Sequence, residues 1–511
     1  MREALRRACL ACALGTCATG AAAARTVPPL VPPQADGRPW SASDAGALRA
    51  QLDALFAGSA AVRGAHTGLL VLETRSGVPL YTRAADDEFM PASTLKLVVG
   101  SAAFARLGDD FRFHTQAFVA PQAAGNGPTL VLRTGGDPFL GEKDVGAIAD
   151  AVVAAGIEAL PGGVAIDRSY FDAQPYPPGW VWDDFPFYYA PVISAASFEE
   201  NVLHVTATAG SAAGAPAFVA TAPLAAVRPG TGPACAAQLL PVVVSQAVTG
   251  PPGTESTIDV DRSAGGCIVV VGSVPLRGSD TADAAVPSPA AYLWAALVDA
   301  LRARHVDVAT DVPGGPAPPL DVAPAARRSV WIHDSEPLAK IVAGMWFPSD
   351  NLVAELLLKS LGVARAGVPG TSENGAALER EWLQSIGVDP RTVTLRDGSG
   401  LSIYDRITPR ALSAVLQADW NGPHREEVLG ALPVAGVRGT LREEFVDTPA
   451  AGRAYVKTGS MSHVRGLAGY IETRAHGALT FALMVDDWNG EPPALDAFRG
   501  AVLRSLVGSS T

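Results

Sequence analysis

The chain is 511 residues long, 48% hydrophobic and 18% charged, with 52 Gly and 41 Pro. That length admits two to four domains and a large buried core, and the composition is that of a globular chain rather than a disordered or fibrous one. A formal charge of −12, with no basic tract, argues against a general nucleic-acid binder.

The first segment reads as an export signal. Arg2, Arg6 and Arg7 precede a small-residue apolar stretch that starts at Ala8 and ends in Ala21 to Ala24, and Arg25 to Pro33 has the texture of a linker. Removing residues 1–24 takes away Arg2, Arg6, Arg7 and Glu3, leaving a charge of −12 − 2 = −14. The expected location is the periplasm. Paired Arg6-Arg7 leaves twin-arginine export open, and Cys17 after Leu14-Gly15-Thr16 makes a poor lipidation box. No later run of eighteen apolar residues occurs, so no transmembrane anchor is expected. Of five cysteines, only Cys235 and Cys267 outlast the signal. In an oxidising compartment they suggest one disulfide, closing a loop of about 32 residues for roughly 3 kcal/mol, with two buried thiols as the alternative.

Ser43-Asp44 can cap a helix bearing Leu48, Leu52, Leu55 and Phe56 on one face. Strand-like runs follow at Leu69 to Glu73 and Val78 to Thr82, around the turn Arg75-Ser76-Gly77. From about residue 111 to 320 the texture changes to short apolar runs, such as Thr129 to Leu132, Phe218 to Thr221 and Cys267 to Gly272, divided by Gly, Pro, Ala and Asp. This stretch predicts one or two β-rich inserted subdomains. Helical periodicity returns at Leu338 to Trp346 and Asn351 to Leu361. The chain then shows an edge-strand run at Ala454 to Ser460, a strand pair at Arg465 to Thr473 and Leu479 to Val485, and a helix carrying Leu495, Phe498, Val502 and Leu506. Helix and hairpin at one end and hairpin and helix at the other predict one α+β domain whose antiparallel sheet both termini share.

Three short patterns carry the chemistry: Ser93-Thr94-Leu95-Lys96, Ser349-Asp350-Asn351 and Lys457-Thr458-Gly459. Each is weak alone; Ser-x-x-Lys also describes a capped helix with a solvated lysine. Their order makes the set strong. Residues three apart share a helix face, so the Lys96 amine can reach the Ser93 hydroxyl, which is unreactive until a base takes its proton. Lysine serves as a base only if its pKa falls, through burial and a second cation, for which Lys457 is the candidate. The helix N-terminus adds positive potential for an oxyanion. Lysine usage sharpens the point, because the chain has five lysines (Lys96, Lys143, Lys340, Lys359 and Lys457) among 39 basic residues. Arginine cannot be deprotonated, so it cannot replace such a base.

Ser349 can relay a proton to a leaving amine or merely cap its helix, and Asn351 can hold a substrate amide. Lys457 and Thr458 can bind a substrate carboxylate, Gly459 admits close approach, and the peptide can add as a strand. The backbone N–H groups of Ser93 and Ser460 are the candidate oxyanion hole. GxSxG, HExxH and P-loop patterns are absent, and eight scattered histidines offer no evident triad. Neither a cofactor nor a metal is expected.

With these motifs in place, the chain resembles the penicillin-binding proteins, specifically the class C low-molecular-mass D-alanyl-D-alanine carboxypeptidase/endopeptidases. Ser93 to Ser349 spans 349 − 93 = 256 positions, which suits the large insertion of that family rather than a serine β-lactamase. Thr134 to Pro138, Pro178-Gly179-Trp180 with Asp183-Asp184, Tyr188 to Pro191, Asp397 to Ser402, Leu432 to Leu441 and Lys457 through Tyr470 are similar as well. The resemblance implies a penicilloyl-serine-transferase/β-lactamase-like domain, an antiparallel five-stranded sheet flanked by helices, from 25–110 and 322–511. Two nested β-rich domains would lie between, at 111–190 with 270–321 and at 191–269.

By similarity, Ser93 attacks the D-Ala-D-Ala bond of peptidoglycan stem peptides, expels D-alanine and leaves an acyl-enzyme that water hydrolyses. D-alanyl cross-links are a second substrate class, and β-lactams acylate the same serine. Asp183, Tyr188, Met461 and Ser462 are similar to side-chain-pocket positions; otherwise Asp183 caps and Tyr188 and Met461 pack. Where many relatives carry a basic residue after the Asp397–Ser402 loop, this chain has Ile403 and Tyr404, with Arg406 slightly later. A homodimer is compatible with the resemblance. The alternatives on the same scaffold are a serine β-lactamase or esterase, separated by fast turnover of a penicillin adduct, and a non-catalytic β-lactam or peptidoglycan sensor.

Overall fold

The computed structural model describes residues 27–121, 127–223, 226–229, 241–309 and 327–508. They divide into two compact units. The first takes the described residues up to Asp110, Pro337–Leu361 and those from Ser372 onward; the second takes Phe111–Glu336 and Gly362–Thr371.

The sheet of the first unit has five strands: β1 (His66–Glu73), β2 (Pro79–Arg83), β3 (Ala454–Met461), β4 (Val464–Glu472) and β5 (Ala478–Asp486). Their order is β2-β1-β5-β4-β3, antiparallel at every step. The two ends of the chain meet where β1 runs beside β5, from His66 opposite Asp486 to Glu73 opposite Leu479. All nine residues of β5 are buried, as a central strand covered on both faces requires. One face is covered by α1 (Ala42–Gly58) and α8 (Pro492–Val507), whose Leu48, Leu52, Phe56, Leu495, Phe498, Val502 and Leu506 pack with Leu69, Val71, Phe481 and Leu483.

The unit also contains α2 (Lys96–Leu107), α3 (Leu338–Trp346), α4 (Asn351–Ala366, which starts here), α5 (Ser372–Ser385), α6 (Pro409–Asn421) and α7 (Arg425–Ala431). Helix α6 ties to the sheet through the Tyr470 hydroxyl, which donates to the Leu416 carbonyl at 2.6 Å.

The cap of α1 differs from the sequence reading. Ser41, not Ser43, is the cap: its hydroxyl accepts from the Asp44 N–H at 3.1 Å, and the Asp44 carboxylate accepts from the Ser41 N–H at 3.2 Å. This reciprocal pair satisfies two orphan donors, which a cap beginning at Ser43 could not do.

The second unit is β-rich, with sheets that include Arg328–Asp334/His114–Ala120/Thr129–Arg133/Val164–Asp167 and Ser279–Ala285/Val202–Thr208/Phe218–Ala222. Two helices that the pattern reading passed over, Glu142–Ala154 and Pro289–Arg302, pack in its core through residues such as Ile148, Val152, Tyr292 and Leu297. Their alanine-rich faces weaken the apolar contrast on which periodicity depends. Strand Arg328–Asp334 pairs with His114–Ala120, so this part of 322–511 belongs to the second unit. Cys267 is buried just before strand Ile268–Val271, whereas Cys235 and residues 1–24 lie outside the described residues. Among the described residues no helix is long and apolar enough to cross a membrane.

Candidate active site

Ser93 sits in a 3₁₀ turn, Ala92–Leu95, that leads directly into α2. The turn seats on the edge of the sheet because Gly459 of β3 and Gly466 of β4 lie opposite each other. A Cβ at Gly459 would stand 2.7 Å from the Pro91 carbonyl oxygen, and one at Gly466 would stand 2.8 Å from Thr94 Cγ2. Substrate approach is the role expected of Gly459; its missing side chain also leaves room for the serine turn. Ala92 takes a φ of 44° and Ser349 one of 67°, both in the left-handed region that non-glycine residues enter at a cost and that clusters at functional sites.

Lys96 is fully buried, and its Nζ donates to Ser93 Oγ at 2.8 Å, to Asn351 Oδ1 at 2.5 Å and to the Ser399 carbonyl at 2.8 Å. Burial lowers its pKa to about 8, and the negative potential of Asp397, Asp350 and Glu355 keeps it from falling further. Lys457, on edge strand β3, is equally buried. It donates to Ser349 Oγ at 2.8 Å and to the Thr458 carbonyl at 2.9 Å. Burial, then the nearby charge of Lys96, drive its amine well below the ordinary lysine range. The two lysines therefore form one coupled pair of amines, each bonded to a serine hydroxyl.

The second motif is built differently from a serine cap. Asp350 caps α4, its Oδ1 accepting from the Val353 N–H at 2.9 Å, which frees the Ser349 hydroxyl for Lys457. Asn351 is the first residue of α4 and reaches Lys96, 255 positions away in sequence. Thr458 lies beside Thr440, with hydroxyl oxygens 3.0 Å apart. The fold thus gathers two hydrogen-bonded groups, Lys96 with Ser93 and Asn351, and Lys457 with Ser349 and the Thr458 carbonyl. They offer a hydroxyl held by an amine of lowered pKa and a second hydroxyl held by a second amine, beside the outermost strand of the sheet.

A family model described as the D-Ala-D-Ala carboxypeptidase 3 (S13) family matches residues 48–503. The chain belongs to this family. It is 33% identical over 494 residues to a D-alanyl-D-alanine carboxypeptidase of Actinomadura sp. (strain R39), covering 93% of this chain and 88% of that protein. It is 25% identical over 397 residues to the D-alanyl-D-alanine carboxypeptidase DacB of Haemophilus influenzae, covering 76% and 78%. The crystal structure of penicillin binding protein 4 (dacB) from Haemophilus influenzae shares the fold, with a TM-score of 0.74 at 21% identity over 89% of this chain and 99% of that one.

The remaining candidates of this S13 chain are placed less closely. Ser460 is exposed near the end of β3; Met461 is half-buried and its carbonyl accepts from Arg465 at 2.7 Å, and Ser462 is exposed in the turn after it. Asp183 and Tyr188 belong to the second unit, both exposed, in a short 3₁₀ turn and the loop after it. Tyr188 stands edge-on to Tyr189 at 5.7 Å. Ile403 and Tyr404 are exposed, and Arg406 turns back to donate to the Ile403 and Asp405 carbonyls.

Sequence reasoning missed two partners. The Ser399 carbonyl bonds Lys96 across 303 positions, and Thr440 meets Thr458. The signal for the first was the loop Asp397-Gly398-Ser399-Gly400, whose paired glycines mark backbone brought close to something.

Proposed function

We propose that this S13 carboxypeptidase works through Ser93 as nucleophile and Lys96 as its base, and the observation that carries the proposal is the bonding of Lys96. A neutral amine has two N–H groups and one lone pair. Asn351 Oδ1 and the Ser399 carbonyl accept only, so they take the two N–H groups and turn the lone pair to the Ser93 hydroxyl, the one of these three described partners that can donate. Ser93 Oγ then attacks the carbonyl of the D-Ala-D-Ala bond while its proton passes to Lys96. The N–H groups of Ser93 and Ser460 are the proposed oxyanion donors. The Ser349 hydroxyl, held by Lys457, relays the proton taken by Lys96 to the departing D-alanine amine, which restores the neutral base, and water then releases the acyl group from Ser93. Lys457 and Thr458 receive the terminal carboxylate, and Met461 and Ser462 are proposed for the stem-peptide side chain.

Cleavage of D-alanyl cross-links by the same serine, acylation by β-lactams, export to the periplasm by residues 1–24 and a Cys235–Cys267 disulfide belong to the same reading. The insert is proposed to comprise two nested domains.

The purified protein should release D-alanine from a diacetyl-Lys-D-Ala-D-Ala peptide. Because Lys96 must be neutral, the rate should climb as pH rises through about 8, where the buried amine loses its proton. No release at any pH, or a rate that falls across that range, would count against the assignment of Lys96. Cleavage of a dimeric muropeptide by the same preparation tests the endopeptidase part.

A further inference from the structure

One of the three oxygens on Lys96 belongs to the backbone, and that backbone is gripped from behind. Glu355 Oε1 accepts from the Gly398 N–H at 3.0 Å and from the Ser399 N–H at 2.9 Å, fixing the two peptide units that lead to the Ser399 carbonyl. Asn351 and Glu355 lie four apart on α4, hence on the same face. The first reaches Lys96 directly, and the second reaches it through the loop. Asp397 fixes the other end of that loop, its carboxylate accepting from Gly400 N–H at 2.7 Å, Ser402 N–H at 2.8 Å and Ser399 Oγ at 3.0 Å.

Glu355 is fully buried, and its second oxygen has no hydrogen-bond partner. Burial and the neighbouring Asp397 raise its carboxyl well above the ordinary glutamate range. A buried carboxyl with an idle oxygen is a cost that an apolar side chain would avoid if filling space were its task.

We propose that Glu355 is a positioning residue for acylation: it holds the Ser399 carbonyl on Lys96 so that the amine keeps its lone pair on Ser93. This rests on the reading of Lys96 as the base. The chemistry that matters is one acceptor oxygen at a fixed reach, not the charge. Glutamine keeps that oxygen, aspartate withdraws it by one methylene while keeping the carboxyl, and alanine removes it.

Glu355→Gln, Glu355→Asp and Glu355→Ala are compared by kcat and KM for D-alanine release, by the rate of penicillin acylation and by thermal unfolding. Glu355→Asp and Glu355→Ala should lose about 10- to 100-fold in kcat and acylation rate with KM little changed, the scale of an ångström-level misplacement. Glu355→Gln should stay within about threefold of the unaltered enzyme. If the alanine variant does not fold, the aspartate–glutamine pair decides alone. The proposal is overturned if folded Glu355→Asp works at the unaltered rate, or if Glu355→Gln is as slow as Glu355→Asp. Failure of the underlying reading looks different: the unaltered enzyme would then form no adduct on Ser93, or Lys96→Arg would acylate normally.

Discussion

Replacing Lys96 with arginine should reduce acylation on the order of 10³-fold, although the charge is conserved, because the proposed general base is lost outright. Two causes act together. The guanidinium stays protonated at every pH the fold tolerates, so it cannot take the Ser93 proton. It is also larger, and Lys96 has no exposed surface into which a longer side chain could extend. Trp346 closes the space behind, its indole N–H donating to the Lys96 carbonyl at 2.8 Å. The rate of penicillin adduct formation, followed beside a thermal unfolding curve, separates lost chemistry from lost fold. A folded Lys96→Arg enzyme acylating near the normal rate would exclude Lys96 as the base.

The second large effect is expected at a residue with no side chain of its own. Gly400 takes a φ of 80°, and a Cβ there would lie 1.9 Å from the Ala92 carbonyl oxygen and 3.1 Å from Leu95 Cβ. Neither neighbour can yield cheaply, since Ala92 is the residue before Ser93 and is itself held at a φ of 44°. Gly400→Ala must therefore move either the turn that carries Ser93 or the loop that supplies the Ser399 carbonyl. Either shift breaks the geometry around the Lys96 amine. Acylation should fall about 100-fold, as for an ångström-scale displacement, and stability should drop by about 1–3 kcal/mol. Gly430 near the end of α7 has nothing within 4 Å, so Gly430→Ala is the control and should leave both unchanged or slightly improved. Measured acylation rates and unfolding midpoints for the pair check this; equal rates for Gly400→Ala and the unaltered enzyme would show that the two segments move independently.

What was readable in the sequence was what local chemistry dictates. The strands of the shared sheet, the helices at Leu338 and Asn351, and the Ser93–Lys96 contact all follow from spacings of a few residues, where periodicity and helix geometry apply. The edge position of β3 also emerged as expected, because its residues precede a hairpin that both termini complete. The scarcity of lysine pointed to Lys96 and Lys457 without any fold at all.

What could not be read was long-range and mediated by backbone. A main-chain carbonyl has no residue identity, so nothing at position 399 announces that its oxygen faces Lys96. The carboxyl of Glu355 looks like an ordinary residue of an apolar helix until the loop at 398–399 is folded against it. The Ser349 motif was ambiguous for a related reason. Serine is a good helix cap, and only the structure shows that Asp350 does the capping and leaves the serine hydroxyl to Lys457.

Intact-mass spectrometry after incubation with a penicillin decides whether Ser93 is the nucleophile. A stoichiometric, slowly hydrolysed penicilloyl adduct is expected that maps to the peptide containing Ser93 and is absent in Ser93→Ala. An adduct that survives in Ser93→Ala, or no adduct on the folded unaltered enzyme, would contradict that assignment.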